Sequence, residues 1–140
     1  MLLPKKLKHR KWHRHSGMSG GKVATRTNSL AFGNFGLKAT TESWVNSRQI
    51  EATRRAVRRS LQKGGKIWLR IFPDKPVTAK GNEIPMGGGK GNIDRFVTNV
   101  KPGTIILEID GVTKKLAEEA ARLGGAKLPV RTKFVSKITY

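Results

Sequence analysis

Glycine pairs at Gly64–Gly65 and Gly124–Gly125 each end a stretch of helical periodicity, and the residues between them change to a period of two. Consecutive glycines give up the backbone order that propagates a helix, so a chain punctuated this way builds short elements that must cover one another. Before the first pair, Asn46 or Ser47 can cap a helix whose apolar stripe is Ile50, Val57 and Leu61 with Thr53. Before the second, Leu116, Ala120 and Leu123 give a helix its buried stripe, with Lys114, Glu118 and Arg122 outside.

Strand signals fill the rest. "LAFGNFGLKA" reads as one or two short strands bent at Gly33 and Gly36. In "KIWLRIF", Ile67, Leu69 and Ile71 alternate with Trp68, Arg70 and Phe72; both faces are largely apolar, which predicts a central strand. "FPDKPVT" is expected to be a turn fixed by Pro73 and Pro76. Strands over about 93–100 and 104–110, joined at Lys101–Gly103, are expected to form a hairpin with Ile105, Leu107 and Ile109 on one face. "VRTKFVSKITY" supplies a last strand of imperfect alternation, through Val130, Thr132, Phe134 and Ser136. The irregular interleaving predicts an α+β two-layer sandwich with two helices, a mixed sheet and an extended basic N-terminal arm. Residues 1–28 are expected to form the arm, and 29–140 a single α+β domain with a protruding loop at about 78–92.

Charge narrows the partners. The 29 Lys and Arg against nine acidic residues leave a formal charge of +20, which repels itself in a free compact chain and calls for a polyanion. Nucleic acid fits better than a membrane, since no apolar stretch approaches spanning length and no lipidation motif is present. The arm holds Lys5, Lys6, Lys8, Arg10, Lys11, Arg14, Lys22 and Arg26 with Trp12 and three histidines interleaved, and no acidic residue precedes Glu42. That composition also fits a transit peptide, but Gly17, Gly20 and Gly21 oppose the amphipathic helix such a peptide needs. On the first helix, Arg48, Arg55 and Arg59 lie opposite the apolar stripe and Arg54 and Arg58 on its flank, balanced only by Glu51, which points to phosphate contact.

The glycine-rich stretch "NEIPMGGGKGNID" invites comparison with a nucleotide loop. A Walker loop ending at Gly89–Lys90 would start at Ile84 and put Gly91 where the hydroxyl belongs; a dinucleotide fingerprint fails at Asn92 and Asp94. "IDRFVTNV" then reads as a strand, whereas either motif opens a helix. Two readings remain: a flexible connection between strands, or a side-chain-poor loop, with Lys90 near its tip, that brings backbone close to an RNA strand. His9 and His13 are spaced i, i+4 but have no third ligand nearby, so no metal is expected. The chain has no cysteine, all three histidines sit in the arm, and Glu108 and Asp110 read as solvent-side strand residues, leaving no expected catalytic site or cofactor.

"MLLPKKLKHRK", "AFGNFGLKA", "SRQIEATRRAVRR", "GGKIWLRIFPDKPVT", "MGGGKGN", "KPGTIILEIDGV" and "AKLPVRTKFV" resemble, in order and spacing, the family of bacterial large-subunit ribosomal protein sixteen, whose archaeal and eukaryotic relatives are called ten-e. The resemblance covers essentially the whole chain and, beginning at residue 1, weighs against the transit peptide. It implies a hammerhead-type α+β fold, binding to 23S-type rRNA beside the A site, seating of A-site tRNA, late joining during assembly, and no catalysis. It implies that the arm (Lys5, Lys6, Lys8, Arg10, Lys11, Trp12, Arg14) and the helix arginines (Arg48, Arg54, Arg55, Arg58, Arg59) bind rRNA. Met86, Gly87, Gly88, Gly89, Lys90, Gly91 and Asn92 would form a loop near tRNA, and other large-subunit proteins would be neighbours. The implied location is a cytoplasmic ribosome, with an organellar one compatible. The chain departs from the family's usual pattern at Pro85 and Gly88, where basic residues are usual, at Arg95–Phe96, and at Trp12–His15. Two other readings compete: a free-standing nucleic-acid-binding module and a nucleotide-dependent enzyme. Co-sedimentation with ribosomes and nucleotide binding, respectively, discriminate them.

Overall fold

Asn46 opens the first helix with a reciprocal cap: its Oδ1 accepts from the Gln49 N–H at 2.8 Å, and Gln49 Oε1 accepts from the Asn46 N–H at 3.0 Å. In the computed structural model, which describes residues 1–14 and 21–137, this helix is α1 (Ser47–Leu61). His15, Gly17, Gly20 and the end of the last predicted strand at 138–140 lie outside the described residues. The other elements are β1 (Phe35–Ala39), β2 (Ser43–Asn46), β3 (Lys66–Leu69), β4 (Lys75–Ala79), β5 (Asn92–Val100), β6 (Ile105–Asp110), α2 (Lys114–Gly125) and β7 (Thr132–Ser136). The α+β class holds. The strands, however, form two antiparallel sheets rather than one mixed sheet: β3-β6-β1-β7 and β2-β5-β4.

Both helices pack on one face of the four-stranded sheet. Leu37, Leu107 and Ile109 meet Val57 and Leu61 of α1 and Ala117, Ala120 and Ala121 of α2. The apolar stripe of α1 is buried as its periodicity predicts, Thr53 included. On α2 the buried set is Ala117, Ala120, Ala121 and Gly124; Leu116 is only half-buried and Leu123 is exposed. Small residues win because the helices approach closely: a Cβ on Gly124 would lie 2.5 Å from Val57 Cγ2 and 3.3 Å from Thr53 Cγ2. A second cluster, with Ala39, Val45, Ile50, Ile71, Val100, Ile106 and Val130, includes residues of both sheets.

Three further expectations are corrected. β5 and β6 do not form a hairpin but belong to different sheets. The Lys101–Gly103 turn is captured by β1, whose Ala39 carbonyl accepts from the Gly103 N–H at 2.7 Å while the Ala39 N–H donates to the Thr104 carbonyl at 2.8 Å. The "FPDKPVT" stretch yields strand β4; Pro76 is tolerated because β4 is an edge and needs no donor there. β3 is also an edge strand, and the central, doubly covered strand is β6.

The cover on the second face of β6 accounts for the last difference. Glu108, expected on the solvent side, is fully buried. Its carboxylate accepts from the main-chain N–H groups of Phe32 and Gly33, each at 2.7 Å to Oε2, and of Ala31 at 3.1 Å to Oε1; Arg70 Nη1 donates to the same Oε1. Residues 31–33 are thereby pinned over the sheet, and Gly33 is required there, since a Cβ would fall 2.6 Å from the Ile109 carbonyl oxygen. Burial alone would raise the Glu108 pKa, but the N–H groups of Gly33, Ala31 and Phe32, together with Arg70, outweigh it and hold the carboxyl below its ordinary value. Glu108→Ala, which leaves Arg70 and three N–H groups without their acceptor, should cost about 3–5 kcal/mol in urea unfolding. Because the folded-state pKa is depressed, the stabilisation is present above the ordinary glutamate pKa and is lost as pH falls through the folded value. The stability gap between wild type and Glu108→Gln should therefore be flat near neutrality and close in acid. A gap independent of pH would rule out an ionised Glu108.

Candidate nucleic-acid interface

The outer face of α1 carries the predicted cations. Arg48, Arg55, Arg58 and Arg59 are exposed and Arg54 is half-exposed. Glu51 accepts from Arg54 Nε and Nη2 at 2.9 and 2.6 Å and from Arg55 Nε at 3.0 Å. The Arg54 hydrogen bonds, opposed by desolvation and aided by Arg55, lower its pKa to about 2. Two of the five arginines thus share one carboxylate. Arg48, Arg58 and Arg59 form no ion pair among the described residues, leaving their guanidinium groups available to an external anion.

The arm is not a free tail. Leu2 packs against the second core cluster, and Ser47 Oγ lies 3.6 Å from Met1 Sδ. Lys5, Lys6, Lys8, Arg10 and Arg14 remain exposed. From residue 11 the arm docks on the glycine loop: Lys11 Nζ donates to the Lys90 carbonyl at 3.0 Å, and Lys90 Nζ donates back to the Trp12 carbonyl. Lys75 Nζ donates to the Arg14 carbonyl at 3.0 Å and sits 4.5 Å from the Trp44 ring centroid. Between arm and strands lies a cleft of about 410 Å³ lined by Trp12, Arg14, Trp44, Lys75, Lys90 and Arg95. Asp94 also lines it and pairs with Arg95 at 3.0 Å, so two indoles with Arg14, Lys75 and Lys90 remain to receive a base and its phosphates.

Residues 80–91 connect β4 to β5, and Lys80–Lys90 are all exposed. Gly87, Gly88 and Gly89 have φ of 94°, 69° and 100°, and a Cβ added at any of them would meet nothing within 4 Å, so conformation rather than crowding calls for glycine. Met86 is wholly exposed. Asn92 is already the first residue of β5, paired with Ala79. Lys90 is not near the tip as expected: it adjoins Gly91, whose Cβ would lie 2.5 Å from the Ala79 carbonyl oxygen, and its ammonium is turned to the arm. Sequence reasoning missed Trp44, Lys75 and Arg95, which reach the cleft only through the pairing of β2, β5 and β4. Among the described residues no group of His, Asp or Glu is placed to hold a metal, and no helix is long and apolar enough to cross a membrane.

A small α+β domain with cations spread over one helix, an arm and a glycine loop defines a polyanion-binding protein built for contact over a wide surface. Residues 4–135 match the family Ribosomal protein L16p/L10e, and the chain belongs to that family. It is 52% identical over 138 residues to a protein of Polaromonas naphthalenivorans named large ribosomal subunit protein uL16, covering 99% of this chain and 98% of that one. The uL16 of Paracidovorax citrulli is 53% identical over 137 residues, covering 98% and 97%. A uL16c of Physcomitrium patens is 52% identical over 139 residues, covering 99% of each. Membership sets the chain among structural ribosomal proteins rather than enzymes.

The reciprocal lysine contacts make Lys90→Ala informative. Amide hydrogen exchange at residues 11–14 should speed up by about 2- to 10-fold, as expected when one exposed hydrogen bond is removed. No change would mean that Met1, Leu2, Lys75 and the Lys11 bond to the residue-90 carbonyl hold the arm without the Lys90 ammonium.

Proposed function

We propose that this protein is a structural component of the large ribosomal subunit that binds 23S-type rRNA beside the A site, helps position A-site tRNA, and joins late in subunit assembly among neighbouring large-subunit proteins. The observation that carries the rRNA reading is the separation of charge: Glu108 and Glu51 are occupied internally by Arg70, Arg54 and Arg55, while the exposed arm lysines and Arg48, Arg58 and Arg59 face outward. Such a surface neutralises phosphates over a broad footprint, which suits a folded RNA better than a single duplex groove. The names of the relatives support assignment to the large subunit. The A-site reading is supported by the exposed glycine loop, whose backbone can approach a passing RNA strand. Its location is proposed to be a cytoplasmic ribosome, and the same surface suits an organellar one.

Binding to large-subunit rRNA should weaken steeply with salt, each neutralised phosphate contributing roughly −0.7 to −0.9 to the log–log slope. Removing residues 1–14 should flatten that slope by about this amount for every phosphate that the arm neutralises. An unchanged slope would mean that the arm is a bystander in phosphate binding. For the loop, a photo-crosslinking side chain in place of Met86 should label A-site tRNA on assembled ribosomes. Labelling of rRNA alone, with the A site occupied, would count against tRNA contact.

A further inference from the structure

Phe32 presents an exposed aromatic ring on a pinned backbone, apart from the phosphate-binding surfaces described above. Phe32 is 60% exposed, yet its main-chain N–H donates to the fully buried Glu108 carboxylate at 2.7 Å. Its ring stacks on Trp68, with centroids 6.1 Å apart and planes 20° apart, and the Arg70 guanidinium carbon lies 5.1 Å from the ring centroid. Trp68 pairs directly with Glu108 across β3 and β6, and Arg70 is two residues beyond Trp68, so both partners approach Phe32 from the sheet. With the residue 60% exposed, Phe32 keeps a large solvent-facing area beside these two contacts.

We propose that the outward face of Phe32 is a stacking platform for an unpaired base of the RNA this protein binds, an inference that rests on the rRNA-binding reading above. The site has the features of base stacking and lacks those of phosphate capture. The nearest guanidinium, Arg70, is committed to Glu108. Lys66 is paired in register with Asp110, which accepts from Asn34 Nδ2 at 2.8 Å. A π face with charges of both signs nearby, Lys66 and Asp110, remains, and stacking needs a face rather than a charge. The ring is also ordered in advance by backbone hydrogen bonds and by Trp68, so little side-chain entropy is lost on binding. Further along the same sheet face, Lys38 and Lys133 are paired across β1 and β7 and share the side of Gly36, which itself pairs with Glu108. Those cations, and the chain's charge of +20, favour a nucleic-acid occupant over an apolar side chain of a neighbouring protein.

The test is a double-mutant cycle with the full-length protein. Wild type and Phe32→Ala are titrated with a short single-stranded oligoadenylate and with an abasic oligonucleotide of equal length, at two salt concentrations. Phe32→Ala removes only the ring, leaving the main-chain N–H on Glu108, and a melting curve checks the fold; Phe32→Trp serves as a stacking-competent variant. Wild type and Phe32→Trp should prefer the oligoadenylate over the abasic strand, and Phe32→Ala should shrink that preference by about 5- to 150-fold, by the same factor at both salts. A preference identical in wild type and Phe32→Ala, or one lost equally in Phe32→Trp, would overturn the stacking site while leaving RNA binding intact. Failure of wild type to bind either strand or large-subunit rRNA would instead remove the rRNA reading. If Phe32→Ala impaired joining to the subunit with no base-dependent effect, the ring would seat a neighbouring protein and the proposal would fall.

Discussion

A charged carboxylate in a protein interior survives only if nearly every lone pair is used, and the arrangement of this fold follows from how Glu108 meets that condition. Three consecutive N–H groups from residues 31–33 and one guanidinium converge on it. To deliver them, the chain before β1 must lie flat over β6, and β3 must sit beside β6 so that Arg70 can reach. The helices occupy the opposite face, where Leu107 and Ile109 are buried among aliphatic and alanine side chains. Centrality of β6, edge placement of β3 and outward presentation of Phe32 are therefore consequences of one polar cluster.

The same principle governs the other acids. Glu51 joins Arg54 and Arg55, Glu119 accepts from Arg122 at 2.6 Å, and Asp94 accepts from Arg95 at 3.0 Å. These surface pairs contribute little stability individually, about 0–1 kcal/mol each. Their larger effect is on field shape: they mute some arginines and leave Arg48, Arg58, Arg59 and the arm lysines as some of the outward cations that form no ion pair among the described residues. With 29 basic residues against nine acids, self-repulsion in the free chain is the counterpart of a phosphate-rich binding site.

Local periodicity is a good guide where neighbours in sequence decide the outcome. The α1 cap at Asn46 and its stripe through Ile50, Thr53, Val57 and Leu61 are legible because capping and a 3.6-residue repeat are local properties. The departures are all non-local. Lys101–Gly103 reads as a hairpin turn because nothing in those residues reveals that Ala39 will bond to Gly103 and Thr104. Leu116 and Leu123 read as buried beside Ala120, and Ala117 and Ala121 do not, because close helix approach, which favours small residues, depends on the partner helix. Glu108 reads as solvent-facing because a charged residue in an alternating strand usually is; its partners lie more than seventy residues earlier and at Arg70. Of the interface, the charged residues are visible in composition, whereas the cleft and the Phe32 platform require strand pairing.

The family resemblance treats arm and loop as separate contributors, implying rRNA contact for the one and tRNA contact for the other. The exchange of hydrogen bonds between Lys11, Trp12 and Lys90 joins them. An ammonium group has three protons, so Lys90 can hold the Trp12 carbonyl and still offer donors to a phosphate. Immobilising the arm on rRNA would then restrict the base of the loop through Lys90, and the loop would lose less conformational entropy when it meets a second RNA. Beyond that base, Lys80 Nζ donates to the Gly87 carbonyl at 2.6 Å, and Gly87, Gly88 and Gly89 all have positive φ with open space where a Cβ would lie. A loop held at its base by the arm and bending at three glycines would follow a moving strand without detaching from its scaffold. On the A-site reading proposed above, that division of stiffness would stand in for the basic residues whose places Pro85 and Gly88 take.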